Sequence, residues 1–413
     1  MKCYLLISLF TCCCLSCKTR EERFEEAYRN SVQWLWNQQS ADGAWHSETH
    51  AVLRDGRALT PYILYYLLQV PNTVYPHDKE SINKAVEFIQ KDMQRSITMG
   101  KDSVTEFNYP NYSASYALRV LHLTKTDTVL QKIIADYLLD QQFLENRSIR
   151  PGQLAYGGWG YGEPDLQPGE FGHVDLSHTR HIAEALIETH FLDSIFADLP
   201  SPLILVSRDD LKKPPKDEID VLTVNEKRKL AIELFLAGAQ RWTSDSRLFE
   251  GCTSRNRLPY DGGFISSAAT LATNKSIPVQ IEGAGLHYPS YATATCDGLL
   301  ALHVLGLQKT STYKDAVKWL TDHQRIDVID GLSKDDPEQW YLIMHYYHWA
   351  VRAEAMIVAG IDGPWKEKLR KALFDEQLEN GSYINPLGGV NKEDDPLMAT
   401  IFCVQAFTKV AKK

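Results

Sequence analysis

Within the nine residues of HVDLSHTRH stand His173, Asp175, His178 and His181. Imidazoles beside a carboxylate can ligate a metal ion, with His178 as the leading ligand. They can also form a hydrogen-bonded polar cap at a helix start, and the cap is the expected reading. A second acidic group, KEDDP from Lys392, carries Asp394 and Asp395; a third, KDDP from Lys334, carries Asp336. A carboxylic acid so placed is a candidate proton donor. Just before a Pro that opens a helix it also sits at the positive end of the helix dipole, which favours it without any chemistry. That structural role is the expectation for both groups. Asp175, His178, Asp394 and Asp395 are the candidate catalytic residues, and no complete catalytic set is visible.

What positions these residues is a repeat. WLWNQQSADGAW from Trp34 reads as a helix end, a Gln pair, a Gly turn and an aromatic. YLLDQQ from Tyr137 leads to YGGWGYGE at Tyr156, and LFLAGAQ from Leu234 leads to YDGGFISS at Tyr260. ALFDEQLENGSYIN from Ala372 and AVKWLTDHQ from Ala316 are of the same kind. A second kind of segment alternates with these: GRALTPYILYYLLQV, YPNYSASYALRVL, HVDLSHTRHIAEAL, YPSYATATCDGLLALHVLGL, DPEQWYLIMHYYHWAV and KEDDPLMATIFCVQAF. The first kind is amphipathic, with Phe24, Ala27, Tyr28 and Leu35 at helical spacing; the second is apolar nearly all round. Amphipathic outside and apolar inside, alternating, predicts six helical hairpins, at about 23–70, 80–123, 127–191, 226–306, 311–359 and 364–411. Closed on themselves they make an all-α (α/α)6 toroid. A Pro- and charge-rich stretch at about 192–225 reads as a connector between two three-hairpin halves.

The first 17 residues stand apart. MKCYLLISLFTCCCLSC has Lys2 and an apolar run too short to span a membrane but suited to a signal peptide. It resembles a bacterial lipoprotein signal, which implies that Cys17 becomes the lipidated first residue of an exported protein, anchored by lipid to a bacterial membrane, periplasmic or outer. Residues 18–413 then form one toroid. Three cysteines lie in the body, Cys252, Cys296 and Cys403, which is no disulfide framework. Cys252 and Cys296 either pair or remain thiols. The formal net charge of −9 argues against a nucleic-acid partner.

The repeats resemble those of the squalene–hopene cyclase and protein prenyltransferase β-subunit superfamily. Gln38, Gln39, Gly43 and Trp45 carry the resemblance, with Gln141, Gln142, Gly157, Gly158 and Trp159, and with Gln377, Gly381 and Tyr383. In that family such motifs serve packing. Its cyclases use Asp-x-Asp-Asp as the acid; here Lys392 and Glu393 precede Asp394 and Asp395, without the first Asp. Its prenyltransferases bind zinc through Asp, Cys and His. DLSHT resembles the His-bearing stretch and points to His178, but the Asp-x-Cys is missing and TCDG at Thr295 has the two residues adjacent in the other order. Neither chemistry is expected, nor any cofactor. Isoprenoid diphosphates are cytoplasmic, so export disfavours prenyl transfer too.

The starts of the second-kind helices should converge on one mouth, the long-loop end, where function usually lives. That gathers Arg57, Tyr62, Tyr109, Tyr112, His173, Tyr288, Tyr291 and Trp340 as ligand-binding candidates. Three readings follow. The ring binds, or processes, an apolar terpenoid or lipid-like ligand; it is a carbohydrate-active enzyme, glycosidase or polysaccharide lyase, on a six-hairpin barrel; or it is a non-catalytic binding or scaffold lipoprotein.

Overall fold

The computed structural model describes residues 19–98, 109–163, 165–193, 222–240, 260–281 and 285–411. The signal with Cys17, most of the 192–225 connector and Cys252 lie outside the described residues. Six hairpins run in chain order: α1 (Arg20–Asn37) with α2 (Leu59–Leu68), α3 (Lys79–Thr98) with α4 (Pro110–Leu123), and α5 (Thr128–Asp140) with α6 (Leu176–Glu188). The second half has α7 (Val224–Gln240) with α8 (Ala292–Val304), then α9 (Ser311–Asp322), the one-turn α10 (Trp340–Ile343) and α11 (His345–Val358), and last α12 (Trp365–Asp375) with α13 (Pro396–Val410). Helices α2, α4, α6, α8, α11 and α13 pack in that order into an inner ring, and α13 returns to α2. The expected (α/α)6 toroid is therefore present.

The two helix kinds behave as their patterns require. α1 opens on a capping box, with the Glu22 amide donating to Thr19 Oγ1 and the Thr19 amide donating to the Glu22 carboxylate. It buries one face, Phe24, Ala27, Tyr28, Ser31, Val32 and Leu35. In α2 every residue from Leu59 to Leu67 is buried. Two small ribbons interrupt the helices. β1 (Trp159–Gly160) pairs antiparallel with β2 (Val174–Asp175), setting Trp159 opposite Asp175. β3 (Val279–Ile281) pairs with β4 (Gly285–His287).

The Gln–Gly–aromatic units are clasps between hairpins. Gln39 Nε2 donates to the Gly43 carbonyl and to Ser81 at the next outer helix, both at 2.9 Å. Gln142 does the same to Gly157 and Arg228, Gln240 to Gly262 and Thr312, and Gln377 to Gly381 and Ala27. Each aromatic turns inward; Trp45 Nε1 donates to Leu35 O and Trp159 Nε1 to Leu138 O, each at 2.7 Å. The amide of the aromatic donates to a Thr hydroxyl on the paired inner helix: Trp45 to Thr60, Trp159 to Thr179, Phe264 to Thr295, Tyr383 to Thr400. Of each Gln pair it is the second that reaches across; Gln38 is exposed. Gly157, at φ +90°, lies so close to α7 that an added Cβ would collide with the Ala231 carbonyl.

Trp159, fully buried, is expected to cost about 3–5 kcal/mol when cut to Ala. Gly157→Ala should unfold at far lower urea than Gly360→Ala, whose Cβ would meet nothing within 4 Å. Urea titrations followed by helical circular dichroism measure both.

Candidate functional site

A cavity of about 320 Å³ opens at the end of the ring where the inner helices begin. Every inner helix, or the loop leading into it, supplies a wall residue: Tyr62 and Leu59 from α2, Tyr112 and Tyr116 from α4, His178 and His181 from α6, Tyr291 and Asp297 at α8, Tyr347 from α11, Phe402 from α13. Trp340 of α10 stands at the same cavity with Lys275 Nζ 4.1 Å above its ring. Three wall or mouth positions, Tyr109, Gln339 and Lys392, hold positive φ of 51°, 55° and 62° without being Gly, a conformation that surrounding structure must enforce.

Tyr62, Tyr109, Tyr112, His173, Tyr291 and Trp340 line the cavity, as do Asp175 and His178. Arg57 does not: its Nε pairs with Asp92 of outer helix α3 at 3.0 Å. Tyr288 is half-buried outside the lining. Asp394 pairs with His50 at 2.7 Å, and Asp395 caps α13, accepting from Leu397 N at 2.8 Å and from the Ser47 hydroxyl. Glu393 accepts from the Tyr346 and Tyr347 amides and so caps α11. Asp336 caps its own turn through Glu338 N. Glu393 and Asp395 thus serve helix starts, whereas Asp394 is taken by His50 and Asp336 by its own turn.

Asp175 is the N-cap of α6, accepting from His178 N at 2.9 Å. Its Oδ1 also meets His178 Nδ1, and its Oδ2 meets His173 Nε2, each at 3.0 Å. Burial by itself would raise this carboxyl, but the two imidazoles beside it more than offset that and hold it well below the usual carboxylate range. This is the polar cap of the sequence reading. Among the described residues no group of three His, Cys, Asp or Glu is arranged to hold a metal ion.

Sequence reasoning missed Tyr116, Ser177, Asp297 and Tyr347. Tyr116 lies a turn below Tyr112, as His181 of the sequence cluster lies a turn below His178. Asp297, in the otherwise apolar ATATCDGLLALHV, was the readable signal. A chain of hydrogen bonds crosses the wall: Tyr112 OH to Ser177 Oγ at 2.5 Å, Ser177 Oγ to Tyr347 OH at 3.1 Å, and Tyr347 OH donating to Asp297 Oδ2 at 2.8 Å. Asp297 Oδ1 accepts from Arg180 at 3.3 Å. Below it the axis is filled. Arg180 also donates to Glu184 and Glu354, and Arg119 to Glu184 and Glu188. Lys409 pairs with Glu354 at 2.7 Å. The lumen is therefore closed beneath the cavity.

The chain superposes on a variant of the type II terpene cyclase MstE from Scytonema in complex with its substrate geranylgeranyl dihydroxybenzoate. The TM-score is 0.53 at 13% identity, over 95% of this chain and 98% of that one. Apo MstE gives 0.52 at 12% identity over 94% and 99%. A protein from Actinoplanes gives 0.52 at 13% over 94% and 100%. This is the terpenoid cyclase-like α/α toroid. No family model and no curated protein matches the chain. In this terpenoid cyclase-like toroid both carboxylates of the cavity wall are already engaged, Asp175 by two imidazoles and Asp297 by Tyr347 and Arg180.

Burial pushes the Asp297 carboxyl up to about 7, against the opposing pull of Arg180 and the Tyr347 hydrogen bond. The folded state then keeps a proton that the unfolded chain releases near pH 3.9. Stability from this group is complete below that pH and declines as the pH rises through about 7. Asp297→Asn removes the decline, so its melting temperature relative to wild type should rise between pH 5 and pH 8. An equal difference at both pH values means that Asp297 is ionised when folded.

Proposed function

We propose that this chain binds a small apolar ligand of terpenoid or prenyl-lipid type in the cavity at the ring's mouth. The observation that carries the reading is the convergence of Tyr62, Tyr112, Tyr291, Trp340, Tyr347 and Phe402, from separate helices, on one cavity closed below by ion pairs. Aromatic walls with a few placed polar groups are what such a ligand needs. A cavity of about 320 Å³ sits at the lower end of the range for small-molecule sites, roughly 300–1,000 Å³. MstE, alike in fold, is seen with geranylgeranyl dihydroxybenzoate as substrate and with merosterolic acid A as product. The reading includes export and anchoring through Cys17 to a bacterial membrane. It uses neither Asp-x-Asp-Asp nor zinc chemistry; Asp395 caps α13 and Asp394 is paired with His50.

The test is native mass spectrometry of the protein taken from its own membrane, followed by titration with farnesol. Trp340→Ala and Tyr112→Ala should each weaken binding roughly tenfold to a hundredfold, the worth of an aromatic side chain removed from a contact. Arg57→Gln should bind as wild type does. No retained lipid and no binding of farnesol would sink the reading.

A further inference from the structure

His178 Nε2 is buried and has no hydrogen-bond partner. It is the only such orphan among the described side chains of the cavity wall. The other buried polar groups there satisfy one another: Tyr112, Ser177, Tyr347 and Asp297 form one chain, and Tyr116 OH meets His181 Nδ1 at 2.9 Å. A buried polar atom without a partner calls for an explanation, and an absent ligand group is one.

The surroundings of the ring say what that group is. Asp175 accepts from the His178 backbone and faces its Nδ1 at 3.0 Å. With the ring proton held on Nδ1, a neutral imidazole leaves Nε2 as a lone-pair acceptor. Asp175 itself is held in place from three sides: by the β1–β2 pairing, by its capping role and by His173. Turning the imidazole would break its bond to Asp175. His173 is in turn stacked on Tyr161, ring centroids 4.1 Å apart. Tyr112 and Tyr161 stand edge-on to His178 at 4.5 and 4.6 Å. Nε2 itself is shut off from solvent, so whatever reaches it must be slim. It must also be a donor. A cationic donor gains little, because the nearest carboxylate, Asp175, already carries two imidazoles. A neutral hydroxyl meets every condition.

We propose that the Asp175–His178 pair is the polar anchor of the cavity, and that His178 Nε2 accepts the hydrogen bond of an alcohol or phenol at the end of the apolar ligand. The inference rests on the apolar-ligand reading and narrows it: the ligand is an amphiphile with one hydroxylated end buried in the ring, not a plain hydrocarbon. His178 acts here as a binding residue, and Asp175 as the residue that positions it.

Farnesol and farnesyl methyl ether share a chain; the ether lacks the donor and carries one more methyl, whose bulk the His178→Asn comparison separates from the lost hydrogen bond. Binding of each to the purified protein, followed by tryptophan fluorescence, should favour the alcohol roughly tenfold, as expected when a buried acceptor gains its only partner. His178→Asn sets an amide nitrogen where Nδ1 stands, so it keeps the bond to Asp175 and lacks Nε2. It should bind the ether as wild type does and lose the preference for the alcohol. Equal affinities in wild type, or a preference that survives His178→Asn, overturns the anchor and leaves the apolar site standing. If neither compound binds wild type, the apolar-site reading itself fails and takes the anchor with it.

Discussion

Two guanidinium groups on the ring axis hold the inner helices to a common centre. Arg180 of α6 reaches Glu184 on its own helix, Asp297 on α8 and Glu354 on α11. Arg119 of α4 reaches Glu184 and Glu188, with its charge 3.9 Å above the Tyr65 ring of α2. Gln405 of α13 joins through Glu354 and accepts from Tyr62 of α2. All six inner helices thus enter one buried network. Charges so deeply buried are costly unless each is matched. Arg119, Arg180 and Lys409 face Glu184, Glu188 and Glu354, so an ionised Asp297 would be a fourth anion against three cations. That imbalance suits a carboxyl whose burial already pushes it up to about 7. The same network explains why the ring has a pocket and not a bore.

The periphery solves a different problem. Each outer helix must be set against the next at close range, and the clasps do this with backbone acceptors, which any sequence supplies. The specific demands are few: a Gln to reach across, a Gly where no Cβ fits, an aromatic to fill, and a Thr to receive it. Because the clasps lie at the outer-to-inner turns, they set the starts of the inner helices at one level. The cavity is built from those starts. Structure and site are therefore coupled through the turns: Trp159 is a clasp residue, and its ribbon partner is Asp175.

Much of this could be read from residue order. The alternation of amphipathic and apolar segments gave the hairpins, since helical periodicity reports burial directly. Gln39, Gly43 and Trp45 announced themselves by recurrence. The inner Thr did not, because a Thr in an apolar helix has many possible reasons to be there. Cavity-lining residues near helix starts, such as Tyr112, Asp175 and Tyr291, followed from geometry alone. Arg57 and Asp394 failed for a shared reason: a charged residue at the right height still chooses its azimuth, and each turned to a partner behind the wall. Asp297 and Tyr347 lie deeper, and depth along a helix is not marked by any motif.

The closure between the last and first hairpins has a consequence for how such a chain must assemble. Tyr28 stacks on Phe407 with centroids 5.1 Å apart, and its hydroxyl meets Thr408 at 2.6 Å. Gln377 clasps Ala27 across a separation of 350 residues. Closing contacts so far apart in sequence come at the full entropy of the intervening loop unless the hairpins between are already stacked. Until α12 and α13 exist, Phe24 and Tyr28 of α1 lack the Phe407 ring that covers them. Synthesis from the N-terminus therefore leaves an open arc with one apolar flank waiting for the other. The ring is completed by its final hairpin, and both of its ends stay unfinished until that moment.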